Sequence, residues 1–458
     1  MNDLKPIGNP LKRTLGLFSL IAIGVGQVIG QGAFVSILQG VGIGGSGFFV
    51  AMLIALVLTL GHIYTFAELS LMMPKAGGIS TYTEVAVGHL PAIVVTIGGY
   101  LGIAIFAGAA DLFLLDYVFH VLYPNSFGHI GLWVYILIMI LNILGVDVFA
   151  SVQNIVAYTM TVALLILGFA GVSSSEVQDI PLTNLITDSG PLDWGILPLT
   201  MLAIFAFLGL EIMCPLIEET IQPERNIPRA MFISCFVFFL VYGLVALAGY
   251  HKVPGNELVN SSIPHLTLVE SIFGEAGRLM TAFLVITAST SSFSSGIASI
   301  SRMLFGMAKN NQLPGAFGLV HPKFKTPWFG IIFQCGLAIL VYIAFQNSQN
   351  VVILLVTSCA TVWLMVYIMA HIDLIMLRKK YPQFQRPYRS PLFPVFQILG
   401  IISMTYLIIN NSPSPEMTRD VYINAGLFVG ITALYAVLWI KFKMKKEFFK
   451  GEPIENIS

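Results

Sequence analysis

Charge is what this chain lacks most. Only 10% of its 458 residues are Asp, Glu, Lys or Arg, against roughly 25% in ordinary soluble domains. Basic and acidic residues balance at 23 each, which excludes the basic footprint of a nucleic-acid binder. Cysteine is scarce as well. Cys214, Cys235, Cys335 and Cys359 all fall inside apolar runs, so small buried side chains are expected there, not disulfides or a metal site. Long polar segments are missing: 173–193 and 378–390 are only loop-sized. No phosphate-cradling G-x-x-x-x-G-K-[ST] occurs, which removes the signature of an ATP-driven pump. Gly24-x-Gly26 lacks the third glycine and the preceding strand of a dinucleotide-binding turn. The sequence offers no pair of histidines at metal spacing and no nucleophile beside a base, so an intramembrane enzyme is the weaker alternative and no cofactor is expected.

What is abundant is apolar length. Hydrophobic residues make up 56% of the chain and mean hydropathy is +0.85. Runs near the ~20 residues that cross a bilayer recur throughout. They predict an all-α integral membrane protein with twelve spans, at 15–37, 46–71, 82–119, 130–147, 151–172, 194–220, 229–250, 275–308, 329–346, 349–376, 391–410 and 421–441. The first run has no small-residue cleavage site after it and reads as a retained helix rather than a signal peptide. With the N-terminus cytoplasmic, Lys252, Arg278 and Arg419 alone of the 23 basic residues fall outside. That bias places both termini in the cytoplasm and favours an even number of spans in a cell membrane.

Two spans are interrupted. Residues 24–32 read Gly24-Val-Gly-Gln-Val-Ile-Gly-Gln-Gly32, four glycines and two glutamines inside an apolar run. Glycine weakens a helix, and unladdered backbone survives in hydrocarbon only where it lines a cavity or meets a ligand. Span six carries Gly209, Glu211 and Pro215. Pro215 has no N–H, so the Glu211 carbonyl is expected to lose its helical partner. Five helices separate the two breaks, and five is odd, so the second set of five would run inverted. Paired broken spans in inverted halves are the mark of a transporter's binding site. The organisation expected is a cytoplasmic N-terminus at 1–14, repeats at 15–172 and 194–376, two further helices within 391–441, and a cytoplasmic tail at 442–458.

Four motifs in order carry a resemblance. They are Ile29-Gly-Gln-Gly-Ala-Phe34; Ala67-Glu-Leu69 followed by Pro74-Lys-Ala-Gly-Gly78; Phe205-Ala-Phe-Leu-Gly-Leu-Glu211 with Glu218-Glu219 and Pro223 to Arg229; and Ser301-Arg302 through Leu313-Pro314 to His321-Pro322 and Thr326-Pro327. Over nearly its whole length the chain resembles the amino acid–polyamine–organocation (APC) superfamily. The resemblance implies a secondary transporter that moves a small amino acid or organic amine by alternating access. The half-helix resuming after the first break has free N–H groups and a positive dipole end, which suits a carboxylate. By similarity, the N–H groups of Gln31 and Gly32 would receive it, and carbonyls of Val28, Phe205 and Leu208 would take the ammonium. Gly30, Ala206 and Gly209 complete the two breaks, and Phe205 would shut the site from outside. A non-transporting solute sensor on the same scaffold is the alternative.

Other polar groups leave two readings each. An acid at mid-membrane costs roughly 2.5–3.5 kcal/mol on insertion scales, so Glu211 is expected to be a proton-coupled gate or a latch on the span-one loop; the other reading is a protonated acid bonded to nearby peptide groups. Asp116 is expected at the outer surface, whereas Asp111 faces either the cavity, where it would attract an amine, or a packed interface. His62 and His371 are expected to be packed and bonded rather than proton relays. Gln27 and Gln31 replace the small residues usual in the family. A long amide at 31 would fill part of the carboxylate pocket, or merely cap broken backbone. The lysine that some relatives carry in span five is absent, and Ala163 is taken as its counterpart. A sodium site is the other option for coupling, besides a proton: the Ala288 carbonyl and the Ser291 and Ser292 hydroxyls share one helix face, with carbonyls of Gly26 and Ile29 opposite. Those hydroxyls could equally bond within their own helix.

Overall fold

The computed structural model describes residues 11–125, 128–173, 196–346, 351–411 and 415–456. Residues 1–10, most of the 173–193 loop, the expected starts of spans six and ten at 194–195 and 349–350, and the last two residues of the tail lie outside them. Helix accounts for the regular structure among the described residues, apart from one isolated parallel bridge between Leu15 and Thr220.

Span one is two helices, α1 (Leu17–Val28) and α2 (Gln31–Gly44), bent 58° apart. Its second half runs seven residues beyond the limit of 37 that hydropathy gave. α3 (Gly47–Met72) follows directly. The expected third span divides at its start into a short α4 (Ile79–Ala86) and a long α5 (His89–Leu122), whose Val94–Leu101 segment is π-helical. α6 (Ile130–Ile143) and α7 (Val146–Ser173) complete the first half. Span six is α8 (Ile196–Phe205), a break, and a 3₁₀ helix over Leu210–Glu219. Then come α9 (Pro223–Lys252), two short helices α10 (Gly255–Asn260) and α11 (Pro264–Phe273) that hydropathy did not foresee, and α12 (Gly277–Lys309). α13 (Trp328–Ala344), α14 (Val351–Lys380), α15 (Val395–Ile409) and α16 (Pro415–Trp439) close the chain.

Eight of these helical stretches are long and apolar enough to cross a membrane, nine if the bent pair is one span, and three shorter apolar helices lie where spans four, nine and eleven were expected. Burial sorts the residues as a bilayer requires. Trp133, Ile155, Ile166, Phe169, Leu240, Leu340 and Leu427 stand exposed on outer helices, while α1, α8 and α12 sit inside. α12 is the central post: it touches α1, α5, α6, α7 and the 3₁₀ helix.

Two buried carboxylates, each held by arginine, bind one end of the bundle. Arg302 of α12 grips Glu219 at the end of the 3₁₀ helix with two bonds, of 2.8 and 3.0 Å. Glu68 of α3 receives Arg378 at 2.9 and 2.6 Å and Arg386 at 3.0 Å. Fork-to-carboxylate geometry of this kind makes a buried pair tolerable. At the same end the chain entering α1 is tied to the chain leaving the 3₁₀ helix: the N–H groups of Thr14 and Leu15 both reach the Glu219 carbonyl at 2.9 Å. The tail docks there too. The Leu90 N–H bonds the Phe448 carbonyl at 2.9 Å, the Glu452 N–H bonds Glu84 at 3.2 Å, and the Lys446 ammonium holds the Glu452 carboxyl below its usual range.

Candidate substrate site

The glycine run opens the ladder as its composition demands. The Ile29 N–H still reaches the Val25 carbonyl at 2.9 Å, and the Gly30 N–H folds back on Val28 at 2.9 Å. The Ala33 and Phe34 N–H groups turn to Gly30, at 3.1 and 3.3 Å. Between them, the N–H groups of Gln31 and Gly32 have no partner among the described residues. They open α2, where the helix dipole is positive. The carbonyls of α1 are held from outside: Ser234 donates to Ile21 (3.3 Å), Gln153 to Ala22 (3.0 Å), Ser295 to Ile23 (3.3 Å) and Tyr242 to Val28 (3.0 Å). Val28 therefore already accepts two bonds, which leaves Phe205 and Leu208 as the more open acceptors of the three expected.

The second break falls on the Phe205–Gly209 stretch named from the sequence, upstream of the Glu211 carbonyl to which Pro215 pointed. The chain leaves the helix at Phe205, and Gly209 adopts φ 115°, a left-handed value that suits glycine. Pro215 instead sits comfortably inside the 3₁₀ helix. There the missing N–H concerns the carbonyl three residues back, Ile212, and the Ser299 hydroxyl supplies that bond.

Glu211, fully buried just past this break, is not bonded to the span-one loop. Its oxygens take the Trp363 indole N–H at 2.7 Å, the Tyr367 hydroxyl at 2.5 Å and the Tyr100 hydroxyl at 3.2 Å. A backbone N–H, that of Glu211 itself, also reaches the carboxyl, so the alternative reading of bonds to peptide groups holds in part. Trp N–H can only donate. The Tyr367 hydroxyl also accepts the Gly209 N–H at 3.1 Å, which ties the carboxyl to the backbone of the break. Both carboxyl oxygens thus face hydrogen-bonding side chains. Tyr100 reaches it from the π-helical part of α5, a segment type often found at functional sites.

A cavity of about 520 Å³, counting space open to solvent, joins the two breaks. Its wall includes Val28, Gly30, Gly32, Phe205, Leu208 and Trp363, together with Gln27, Asp111 and Ser292. A second space of about 390 Å³ adjoins it and shares Gln27, Asp111 and Ser292. Phe205 leans over Gly32, where an added Cβ would stand 3.3 Å from the ring. Asp111 takes a hydrogen bond from Ser292 and, among the described residues, is the one acidic side chain on either wall. Of the expected residues, Ala206 and Gly209 shape the second break without lining the cavity. The Gln31 side chain turns away to donate to Ser289 at 2.5 Å, so it does not fill the carboxylate pocket.

Comparison with known proteins decides the family. The amino acid permease family model matches residues 15–439. The chain belongs to that family. The permease is 27% identical over 442 residues to the serine/threonine exchanger SteT of Bacillus subtilis, covering 94% of this chain and 98% of that one. It is 24% identical to the branched-chain amino acid permease BcaP of the same organism, over 87% of this chain and 88% of the other. Against the mouse large neutral amino acids transporter small subunit 2, identity is 27%, over 86% and 75%. Among solved structures, a manganese transporter of Eremococcus coleocola superposes with a TM-score of 0.61, covering 96% of the permease and 99% of that chain. At 12% identity that likeness speaks for the fold alone. The permease is thus a multi-pass membrane transporter of amino acids and not an enzyme.

The residues considered for a cation are arranged around an amide. Gln153 of α7 donates to Ser291 at 2.6 Å and to the Ala22 carbonyl at 3.0 Å. A Cβ added to Gly26 would fall 1.9 Å from the Ser291 hydroxyl and 2.2 Å from the Gln153 nitrogen. Gly26 is glycine because that amide passes over it. Ser292 bonds Asp111, and Ala288 lines a small apolar space beside Gln31 and His265. Sequence reasoning took Ala163 as the informative position of this helix and missed Gln153. The available signal was an uncharged but long amide facing inward on an otherwise apolar span. Tyr100, Trp363 and Tyr367 were missed for a different reason: aromatic residues at helical spacing read as core until a buried acid is found among them.

Proposed function

We propose that the permease carries an amino acid by alternating access, in a twelve-span frame whose two five-helix halves, 15–172 and 194–376, are inverted repeats. Both termini lie in the cytoplasm, and the protein sits in the cell membrane. The substrate carboxylate is received by the N–H groups of Gln31 and Gly32, and its ammonium by the carbonyls of Phe205 and Leu208, with Phe205 closing the site. The observation that carries this reading is the pair of unpartnered N–H groups at a positive helix end, beside a cavity that also reaches the second break. Asp111 sharpens the substrate class. A carboxylate on an otherwise uncharged wall favours a side chain that bears an amine or a hydrogen-bond donor over a purely aliphatic one.

Coupling does not use sodium in this reading. The Gln153 amide bonds Ala22 and Ser291 at the junction where carbonyls and hydroxyls would have to converge on the ion, and an N–H donor repels it. A single thermal-shift panel tests site and ion together. Ligands that bind only the folded state stabilise it by RT ln(1 + [L]/Kd), about 2.7 kcal/mol at a hundred times Kd. Lysine, ornithine and serine are expected to raise the melting temperature more than leucine, the same in sodium as in choline, and Asp111→Asn is expected to erase the preference. Sodium-dependent stabilisation, or a leucine response equal to the others, would sink the assignment. Proteoliposome flux then separates transport from sensing, since a sensor would bind without turnover.

A further inference from the structure

His62 of α3 and His371 of α14 are 309 positions apart in sequence, and their rings meet inside the bundle. His62 Nδ1 and His371 Nε2 are 2.8 Å apart. His371 Nδ1 lies 3.0 Å from the Thr65 hydroxyl, which is also 3.0 Å from the Gly61 carbonyl and accepts Gln397 at 3.0 Å. Gln397 continues to Ser390 at 3.0 Å, and the Ser390 N–H meets Glu68 at 2.6 Å. A polar seam between α3, α14 and α15 thus runs from the imidazole pair to the Glu68–Arg378–Arg386 cluster. At the other end His62 Nε2 is buried with no hydrogen-bond partner among the described residues. Its ring lies 4.3 Å, centroid to centroid, from that of Tyr367, the residue that donates to Glu211.

Proton counting makes this pair unusual. One hydrogen lies between the rings, so a neutral pair has two arrangements. Either Thr65 donates to His371 and His62 ends in a bare N–H, or His371 donates to Thr65 and His62 ends in a bare lone pair. Both leave an orphan polar atom, at about 1–3 kcal/mol. Two apolar side chains would leave none. A third proton puts an N–H on both outer nitrogens and shares the middle one; the His62 Nε2–H still has no acceptor among the described residues, and a positive charge now stands next to Tyr367. Glu211 beyond it has three donors and, among the described residues, no cationic partner. The other titratable groups around the pair are accounted for. Tyr100 and Tyr367 bond Glu211, Asp373 turns to Thr83 of α4 at 2.6 Å, and Glu68 is paired with two arginines. α15 contributes Gln397 and no titratable side chain there.

We propose that the His62–His371 pair is the proton-binding site of the transport cycle. A proton from water adds to an imidazole lone pair, with no heavy-atom bond made or broken, and returns to water on the other side of the cycle. While bound, its charge offsets Glu211 across the Tyr367 ring and loosens the hold of that tyrosine on Gly209, the hinge of the second break. The proposal rests on the transporter reading above and adds the coupling ion and its seat.

The test uses the full chain in proteoliposomes loaded with a pH-sensitive dye, with a radiolabelled mixture of the standard L-amino acids as the driving solute. The wild type is expected to acidify the lumen as label enters. His371→Asn and Thr65→Val, which cut the chain at adjacent links, are expected to lose proton movement while label-for-label exchange persists. Wild-type protein that moves label without protons overturns the proposal and leaves the transporter reading intact. Unaltered proton movement in both variants overturns it, and so does loss of exchange together with proton movement in both, which would mark a merely structural pair. A wild type that moves no label at all fails the transporter reading itself, and the proposal with it.

Discussion

The two breaks that frame the cavity are built in opposite ways. The first, between α1 and α2, is made by absence: small residues leave peptide N–H groups standing open at a helix start. The second, between Phe205 and Gly209, is made by addition: Glu211 and its three side-chain donors, among them the Tyr367 hydroxyl that takes the Gly209 N–H, clamp the backbone as it turns. An open break can receive a ligand without rearranging, because its donors are already bare. A clamped break can hold a shape and release it when the clamp changes. In the proposed transport cycle the first would receive the carboxylate and the second would move. Trp363 links them, since it lines the cavity and donates to Glu211.

The largest effect should come from removing the clamp. Glu211→Ala strands three buried donors, at about 1–3 kcal/mol for each group left unpaired, so a loss of roughly 3 kcal/mol or more is expected in chemical denaturation of the detergent-purified protein. Glu211→Gln keeps an acceptor oxygen and should lose clearly less. Equal losses for the two would mean that the clamp acts through packing and not through hydrogen bonds, and the contrast between the breaks would dissolve.

A smaller effect is expected at the first break, and it should depend sharply on position. Gly26→Ala drives a methyl into the Gln153–Ser291 contact, an overpacking worth about 1–3 kcal/mol. Gly30 has extended backbone (φ –101°) and nothing within 4 Å of an added Cβ, so Gly30→Ala should change stability by less than about 0.5 kcal/mol. Because Gly30 lines the cavity, the same methyl should weaken ligand stabilisation in thermal shift. Similar stability losses at both glycines would show the run to be a packing device throughout, not a receptor.

How much of this could be read from the sequence follows from range. The first break was legible because glycine in an apolar span is itself anomalous, and the buried acid of span six was legible for the same reason. The role of Pro215 beside the second break was not. Proline usually marks the weak point of an α-helix, but here the segment is 3₁₀, and Ser299, from a helix far along the chain, supplies the bond that the proline lacks. The partners of Glu211, the reach of Gln153 and the meeting of His62 with His371 all depend on how helices distant in sequence rotate against one another. Periodicity within a span carries no information about that.

Gln31 is where helix phase reverses a sequence expectation, and it gives the smallest predicted effect. Read in line, an amide among the glycines would crowd the carboxylate and set selectivity. In the folded chain only its peptide N–H faces the first break. Its side chain points to the opposite side of α2 and bonds Ser289, with the amide oxygen buried and unpartnered. Gln31→Ser therefore keeps the N–H receptor and removes one buried hydrogen bond along with that orphan oxygen. The expected cost is about 1 kcal/mol or less, and the rank order of ligands in a thermal-shift panel should not change. A shift of that order toward other amino acids would return Gln31 to the cavity wall, and the first break would then select by side chain as well as receive by backbone.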